Sequence, residues 1–390
     1  MKQKIHIGLV LSSYPGGSET FFYNKLNGLV KSGFQVSLFL SRKRDTVQIL
    51  KSASIYYQPN IDKKIYLFAR IIFLFFVHPI RCCRFLYLEK YYQRSWVRTI
   101  KNLIINSHII GKSVDWLHFG YATSGIGRET LGKAMKAKLA VSFRGFDINI
   151  YPNKHPGCYK LLWNVVDKIH TISDDLYKKA LLLGLKSGTP FEKISPSINT
   201  VIFTSNKTNA LHDPLRILTV GRLNWVKGYD YLLDALKLLK DFGINFECHI
   251  VGEGDYKDAI LYARYQLKLI ECVKLNGYLS QDKVKEEMGW ADIYIQPSIE
   301  EGFCNALLEA QSMGLLCIST EAGGLTENII DGVTGWLVKK RSAIDIKNKI
   351  LDILSLDENQ RRQINESARY RVQKEFCIEK QTALFKDFFS

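Results

Sequence analysis

Two glutamates with seven residues between them, Glu301 and Glu309, lie in the run Pro297-Ser298-Ile299-Glu300-Glu301-Gly302-Phe303-Cys304-Asn305-Ala306-Leu307-Leu308-Glu309-Ala310. The pattern predicts a strand ending at Gln296, then a loop carrying Glu301 and Gly302. A short helix follows, capped by Asn305 and stopped near Gly314. Exposed amides at a helix start attract a phosphate. Carboxylates on the loop and two turns into the helix need not share a face, so they suit different parts of one extended ligand. The plain alternative is a strand–turn–helix with two solvated glutamates.

A second run, Gly221-Arg222-Leu223-Asn224-Trp225-Val226-Lys227-Gly228, sets one cation just past a strand and another just before a helix, with glycines outside both. Fixed cations around a glycine-framed loop suit a diphosphate and can stabilise charge growing on a leaving group. The Gly-Lys-Ser/Thr ending of a Walker loop is absent. Taken alone, the run also reads as a βα loop with two surface charges.

The elements that must hold these loops follow one grammar in both halves of the chain. An apolar run over residues 5–12 leads into Tyr14-Pro15-Gly16-Gly17-Ser18-Glu19, then a helical pattern that Gly33 stops, then the strand Gln35–Leu40. In the second half, Leu215–Val220 reads as a strand, 221–228 as a loop and 231–239 as a helix. Strand patterns recur at 246–251, 273–276 and 292–296. Short β-rich runs alternating with helices indicate α/β architecture with parallel sheets and crossover helices. The polar stretch 204–213 marks the expected seam, and 390 residues favour two domains. Ligands of such sheets sit at the C-terminal ends of the strands, in the cleft between the domains.

Order and spacing link the two loops to further segments. Val251-Gly252-Glu253-Gly254, Gly277-Tyr278-Leu279, Ala291-Asp292-Ile293-Tyr294, Gly323-Gly324-Leu325-Thr326-Glu327 and Asp331-Gly332-Val333-Thr334-Gly335-Trp336 stand in one series with them. This series resembles the donor domain of the retaining glycosyltransferases of family 4, the glycosyl transferases group 1. The Pro15-Gly16-Gly17-Ser18-Glu19-Thr20-Phe21 segment resembles a Ser-Glu-Thr-Phe subgroup that builds bacterial surface polysaccharides. The resemblance implies a GT-B fold, two Rossmann-like domains facing across a cleft. The boundaries would be 1–205 for an acceptor-side domain, 206–374 for a nucleotide-sugar donor domain, and 375–390 for a helix returning to the first.

The same resemblance implies roles. Arg222 and Lys227 would grip the donor diphosphate. Glu301 would bind hydroxyls of the transferred sugar, and Glu309 the ribose. The amides of Phe303, Cys304 and Asn305, after Gly302, would approach phosphate and sugar, with Gly277, Tyr278 and Leu279 near the base. Gly16, Gly17, Gly221 and Gly252 would let backbone approach the ligand. Val141-Ser142-Phe143-Arg144-Gly145-Phe146-Asp147 departs from the pattern: Arg144 stands where the family usually carries a histidine near the reaction centre. An arginine holds phosphate or a polar acceptor but is no base near pH 7. His118, in Leu117-His118-Phe119-Gly120, is the other candidate in this half, and a structural histidine is its alternative.

The implied reaction moves a hexose-type sugar from a UDP- or GDP-sugar to a glycan acceptor, lipid-linked, in capsule, exopolysaccharide or O-antigen assembly. The resemblance implies front-face substitution with retention, and no obvious carboxylate nucleophile stands ready for a double displacement, since Glu301 is assigned to sugar hydroxyls. That scheme asks for no metal or other cofactor, and no Asp-x-Asp pair is evident. A GT-B sugar-nucleotide epimerase or a phosphorylase is the alternative. A dinucleotide oxidoreductase lacks its Gly-x-Gly-x-x-Gly run.

Composition adds a partner question. The formal charge of +16 allows nucleic acid, an anionic membrane or an anionic small molecule, and no nucleic-acid module is recognisable. From residue 63 to 112 there are ten Lys/Arg and one acid, Glu89, interleaved with aromatics. Arg94, Arg98 and Lys101 are expected on one helical face, and Val97, Ile100 and Ile104 on another. Such a segment suits the inner face of an anionic plasma membrane; helices packing a core are the other reading. Ile65–Val77 is too short to span a bilayer. The start of the chain reads as a strand rather than a targeting sequence. Eight scattered cysteines read as buried, reduced thiols of a cytoplasmic protein.

Overall fold

The computed structural model describes residues 4–15, 20–43, 53–60, 62, 64–205 and 210–390. Gly16 and Gly17 lie outside the described residues. The chain divides into two compact units, Met1–Ile194 with Gln381–Ser390, and Ser195–Lys380.

The first unit is built on β1 (His6–Leu11), β2 (Gln35–Leu40), β3 (Ser54–Tyr57), β4 (Trp116–Phe119), β5 (Lys138–Phe143), β6 (Lys168–Thr171) and β7 (Phe191–Lys193). They form one parallel sheet in the order β3-β2-β1-β4-β5-β6-β7. The second unit holds β8 (Leu215–Val220), β9 (Phe246–Val251), β10 (Val273–Gly277), β11 (Ile293–Gln296), β12 (Leu316–Thr320) and β13 (Trp336–Val338). These are again all parallel, in the order β10-β9-β8-β11-β12-β13. Parallel sheets need helices on their faces, and their central strands are buried on both sides. β11 accordingly reads Ile-Tyr-Ile-Gln with every residue buried. In each sheet the strand order reverses once, between β1 and β4 and between β8 and β11. Open α/β sheets bind ligands at such a reversal, beyond the carboxyl ends of the strands.

Helix α1 (Thr20–Lys31) packs on the first sheet through Phe21, Phe22, Leu26 and Leu29, and Gly33 turns the chain with φ +89°. Helices α2 (Lys64–Val77), α3 (Pro79–Tyr91) and α4 (Trp96–Ile105) follow β3. The C-terminal helix Ile378–Phe389 closes the first unit's core with Phe385, Phe388 and Phe389, all at 1% exposure or less. Its last carbonyls are held as well: Trp116 Nε1 donates to Phe389 O at 3.2 Å and Lys168 Nζ to Phe388 O at 2.8 Å.

The cysteines divide. Cys82, Cys248, Cys304 and Cys317 are buried, whereas Cys83 is exposed on α3, so the expectation of burial fails there. Truncating a fully buried phenylalanine costs about 3–5 kcal/mol in lost transfer and cavity terms. Phe388→Ala is therefore expected to lower the first unit's unfolding transition in differential scanning calorimetry, leaving the second unit's transition in place.

Candidate active site

The loop leaving β8 and the loop leaving β11 flank the strand reversal of the second sheet, and they carry the two sets of charges singled out in the sequence. Gly221 follows β8, and a single 3-10 turn, Trp225–Lys227, ends at Gly228 with φ +69°. Ile299 N donates to Val226 O at 2.7 Å, tying the β11 loop to the β8 loop. A Cβ on Gly228 would come within 2.1 Å of Pro297 O. Only glycine allows that approach at that backbone angle.

The closure brings Lys227 Nζ to 2.5 Å from Glu301 Oε2, with both side chains under one-fifth exposed. Burial opposes the lysine's charge, and Glu301 outweighs it, so the ammonium is held above its ordinary value. Glu301 is also the end of a buried polar chain. Tyr294 Oη donates to Gln296 Oε1 at 2.8 Å, Gln296 Nε2 to Ser298 Oγ at 2.7 Å, and Ser298 Oγ to Glu301 Oε2 at 3.5 Å. Arg222 is exposed, and its guanidinium has no partner among the described residues. The pair therefore offers one engaged cation and one unengaged cation on the same loop.

The helix after this loop runs Asn305–Ser312, and its N-cap is Cys304 rather than Asn305, which is the first helical residue. The reason is a long-range clamp. Cys304 N donates to Asn328 Oδ1 at 3.1 Å while Asn328 Nδ2 donates to Cys304 O at 3.0 Å. The Cys304 amide is thus taken, leaving those of Phe303 and Asn305 without a partner among the described residues. Phe303 is buried against Phe376 at a ring distance of 5.5 Å. Gly302 is buried, and Gly324 N donates to Glu301 O at 2.9 Å. Arg371 braces the Asn328 segment, donating to Asn328 O and Glu327 O at 2.8 Å each.

Glu309 is partly buried one helix turn further on, and its carboxyl has no partner among the described residues. Burial alone pushes it up to about 8. Gly252, with φ +144°, donates its amide to Gly277 O at 2.8 Å, and a Cβ there would overlap Gly221 O. Gly277 ends β10 and Tyr278 and Leu279 follow it, with Tyr278 69% exposed. Asn328 and Arg371 carried no signal in the sequence, whereas Gln296 and Ser298 stood there only as the strand end and as part of the loop run. The roles of the first two come from contacts across 24 or more positions for Asn328 and 43 for Arg371.

In the first unit, His118 sits within β4 at zero exposure. Its Nε2 lies 2.6 Å from Ser142 Oγ, which in turn lies 2.7 Å from His170 Nδ1. Lys25 Nζ, itself buried, stands 3.4 Å from both His118 nitrogens. Burial, then the neighbouring Lys25 and His170, holds His118 well below the ordinary histidine range. Arg144 lies past β5, its guanidinium 3.8 Å from the Phe21 ring centroid. The Arg144 amide donates to Asp147 Oδ1 at 2.6 Å. Burial lifts that Asp147 carboxyl to about 7 against the amide hydrogen bonds of Ala122 and Arg144.

Comparison with known proteins adds the chemistry that this geometry serves. Residues 202–371 match the family model "Glycosyl transferases group 1". The chain is 33% identical to the amylovoran biosynthesis glycosyltransferase AmsK of Erwinia amylovora, over 67% of this chain and 65% of that protein. It is 28% identical to the putative colanic acid biosynthesis glycosyltransferase WcaL of Escherichia coli K12, over 95% of this chain and 96% of WcaL. This is a glycosyltransferase. Its fold is GT-B: HepE from Anabaena, solved with UDP and glucose, superposes over 98% of this chain and 99% of its own, with a TM-score of 0.73 at 14% identity. The glycosyltransferase is related to enzymes of bacterial surface-polysaccharide biosynthesis.

The Glu309 carboxyl gives a signed pH effect. In the folded chain it keeps its proton up to about 8, whereas an unfolded glutamate releases it near 4.5. Between those values the native state binds more protons, so this group's contribution makes stability fall as pH rises through the window. Glu309→Gln is expected to match wild type in Tm at about pH 5 and to exceed it at about pH 9. An equal Tm difference at both pH values would contradict the assignment.

Proposed function

We propose that this enzyme transfers a hexose-type sugar, with retention of anomeric configuration, from a UDP- or GDP-sugar to a glycan acceptor carried on a lipid. The product belongs to a cell-surface polysaccharide. The observation that carries the reading is the Lys227–Glu301 pair at the strand reversal, beside the unengaged Arg222 and the amides opening the Asn305–Ser312 helix.

Each group has a task in that scheme. Arg222 and Lys227 hold the diphosphate and stabilise its charge as the glycosidic bond breaks. Glu301 accepts from hydroxyls of the transferred sugar, and Glu309 from the ribose. The amides of Phe303 and Asn305 point phosphate into place. Tyr278 offers an exposed ring beside Gly277 and Leu279 for the base. Glu301 is bound to Lys227 and so is not poised as a nucleophile, which favours front-face departure, the leaving diphosphate assisting the acceptor hydroxyl. Arg144 holds a polar group of the acceptor, and His118 supports the acceptor-side domain from within its core. We place the work at the cytoplasmic face of the plasma membrane, with an anionic membrane surface as partner and no nucleic acid. The domain division in this reading is 1–205, 206–374 and 375–390.

Lys227→Ala is expected to lower turnover at least tenfold, about 1.4 kcal/mol of transition-state stabilisation. Removing one partner of a largely buried pair also costs about 3–5 kcal/mol of stability. The double variant Lys227→Ala/Glu301→Gln should then regain Tm without regaining turnover. Radiolabelled UDP- and GDP-sugars with a membrane fraction read the activity. Wild-type turnover in Lys227→Ala sinks the diphosphate role, and isomerised free nucleotide sugar without transfer sinks the transferase reading for this site.

A further inference from the structure

Helix α2 has its polarity reversed relative to a surface helix. Its residues Leu67 and Leu74 face the protein, as expected of a core stripe. The opposite face is also apolar: Ile65, Phe68, Ile72, Phe73 and Phe76 are between 54% and 88% exposed. The one charge in the helix interior is turned inward, Arg70 Nε donating to Ser107 Oγ at 2.8 Å and Arg70 NH1 to Tyr66 Oη at 2.9 Å. Soluble proteins place the charge outside and the phenylalanines inside. A contiguous exposed apolar surface of this kind marks a binding face.

What covers it is set by charge and by the rim. The single acid of α2, α3 and α4, Glu89, has zero exposure and accepts from Arg94, Asn102 and Thr130. Arg94 is consumed there and by Glu129 at 2.6 Å, so it does not share an exposed face with Arg98 and Lys101, contrary to the helical-face expectation. Arg81 and Arg84 donate to backbone carbonyls. The exposed cations left on α4 are Arg98 and Lys101, with no exposed acid on the three helices to oppose them. Tyr87 and Tyr91 on α3 and Trp96 at the start of α4 are each more than half exposed. Exposed phenylalanines, exposed tyrosines and tryptophan, and unopposed cations on these consecutive helices are the three residue classes that meet acyl chains, interface and anionic headgroups of a lipid leaflet.

An open apolar groove of about 310 Å³ runs between α2 and α4, lined by Leu67, Phe68, Ile71, Ile100, Leu103 and Ile104. No described helix is long and apolar enough to cross a membrane, and α2 and α3 meet at a 108° bend. At 1.5 Å per residue, α2 is about 21 Å long, short of the ~30 Å hydrocarbon core.

We propose that α2 is a monotopic insertion helix: it beds its Phe68/Phe73/Phe76 face in one leaflet of an anionic phospholipid membrane, and the α2–α4 groove receives an acyl chain of that leaflet. This names the contact surface of the membrane partner proposed above and rests on that reading. The occupant is phospholipid, not a second copy of the chain, because two such cationic margins would repel where the phenylalanines meet.

Flotation of the full chain decides it, with vesicles of phosphatidylglycerol and phosphatidylcholine or of phosphatidylcholine alone. Wild type should float with the anionic vesicles, and Phe73→Ser/Phe76→Ser should lose at least tenfold of its bound fraction. Arg98→Glu/Lys101→Glu should lose binding chiefly at low salt. The UDP-induced thermal shift should be the same in all variants, showing that they fold and keep the donor site. Flotation of the phenylalanine variant at the wild-type level overturns the proposal. So does wild type that floats on neither vesicle, or a lipid-free dimer that Phe73→Ser/Phe76→Ser dissociates. A chain that floats as expected but shifts with no nucleotide sugar keeps this proposal and loses the donor reading.

Discussion

The ion pair between Lys227 and Glu301 depends on two loops that leave neighbouring strands on either side of a sheet reversal. Nothing local in either loop produces it. The β8 loop supplies the cation at the end of a single 3-10 turn, and the β11 loop supplies the acid five residues past its strand. Gly228 removes the side chain that would hold the loops apart, and the Ile299–Val226 hydrogen bond fixes their separation. With the pair formed, Ser298, Gln296 and Tyr294 extend its field into the sheet. A charged pair at this depth persists because each partner lowers the desolvation cost of the other. On the proposed reading, a diphosphate entering there would offer Lys227 a second anion and leave Glu301 with acceptor capacity to spare.

The first unit solves a different problem, the burial of polar groups within its core. Lys25 of α1 and His118, Ser142 and His170 of β4, β5 and β6 form a connected set where the helix meets the sheet, ended by His170 Nε2 near Ile194 O at 2.9 Å. Burial, then the charge of Arg144, holds the Lys25 ammonium well below the ordinary lysine range. Phenylalanines of the C-terminal helix cover this set, with Lys25 Nζ 4.2 Å from the Phe385 ring centroid. Satisfied buried networks of this kind specify one packing arrangement, since each orphaned member would cost more than an apolar replacement. The chain's last residues are therefore part of the first unit's core and not a tail.

Strands were the most legible part of the sequence. Gln35–Leu40, Leu215–Val220 and Phe246–Val251 stand where the β-rich runs set them, because strands buried largely on both faces keep apolar residues at most positions, with Arg216, Glu247 and His249 where burial is partial. Helix starts were less legible. Asn305 has the better capping side chain, yet Cys304 takes the position, since Asn328 satisfies its backbone from 24 residues away. Arg94 read as one of a row of surface cations and is instead the centre of a buried cluster with Glu89 and Glu129. Spacing along a helix says which side chains share a direction; it does not say what waits there. The order of glycines and charges from Gly221 to Glu309 pointed to one region, and the hydrogen bonds that join the two loops were not in that order to be read.

The loop closure at Gly228 has a consequence for how such an enzyme diversifies. Two segments locked by a missing Cβ and a shared backbone hydrogen bond cannot drift separately: lengthening either one dislodges the other and scatters the charges they align. On the proposed donor reading, a change in which nucleotide or sugar is accepted would fall on residues outside the lock. Tyr278, exposed after β10, is of that kind. The rigid part of the pocket would be the common inheritance of a lineage and its open margin the place where members part company.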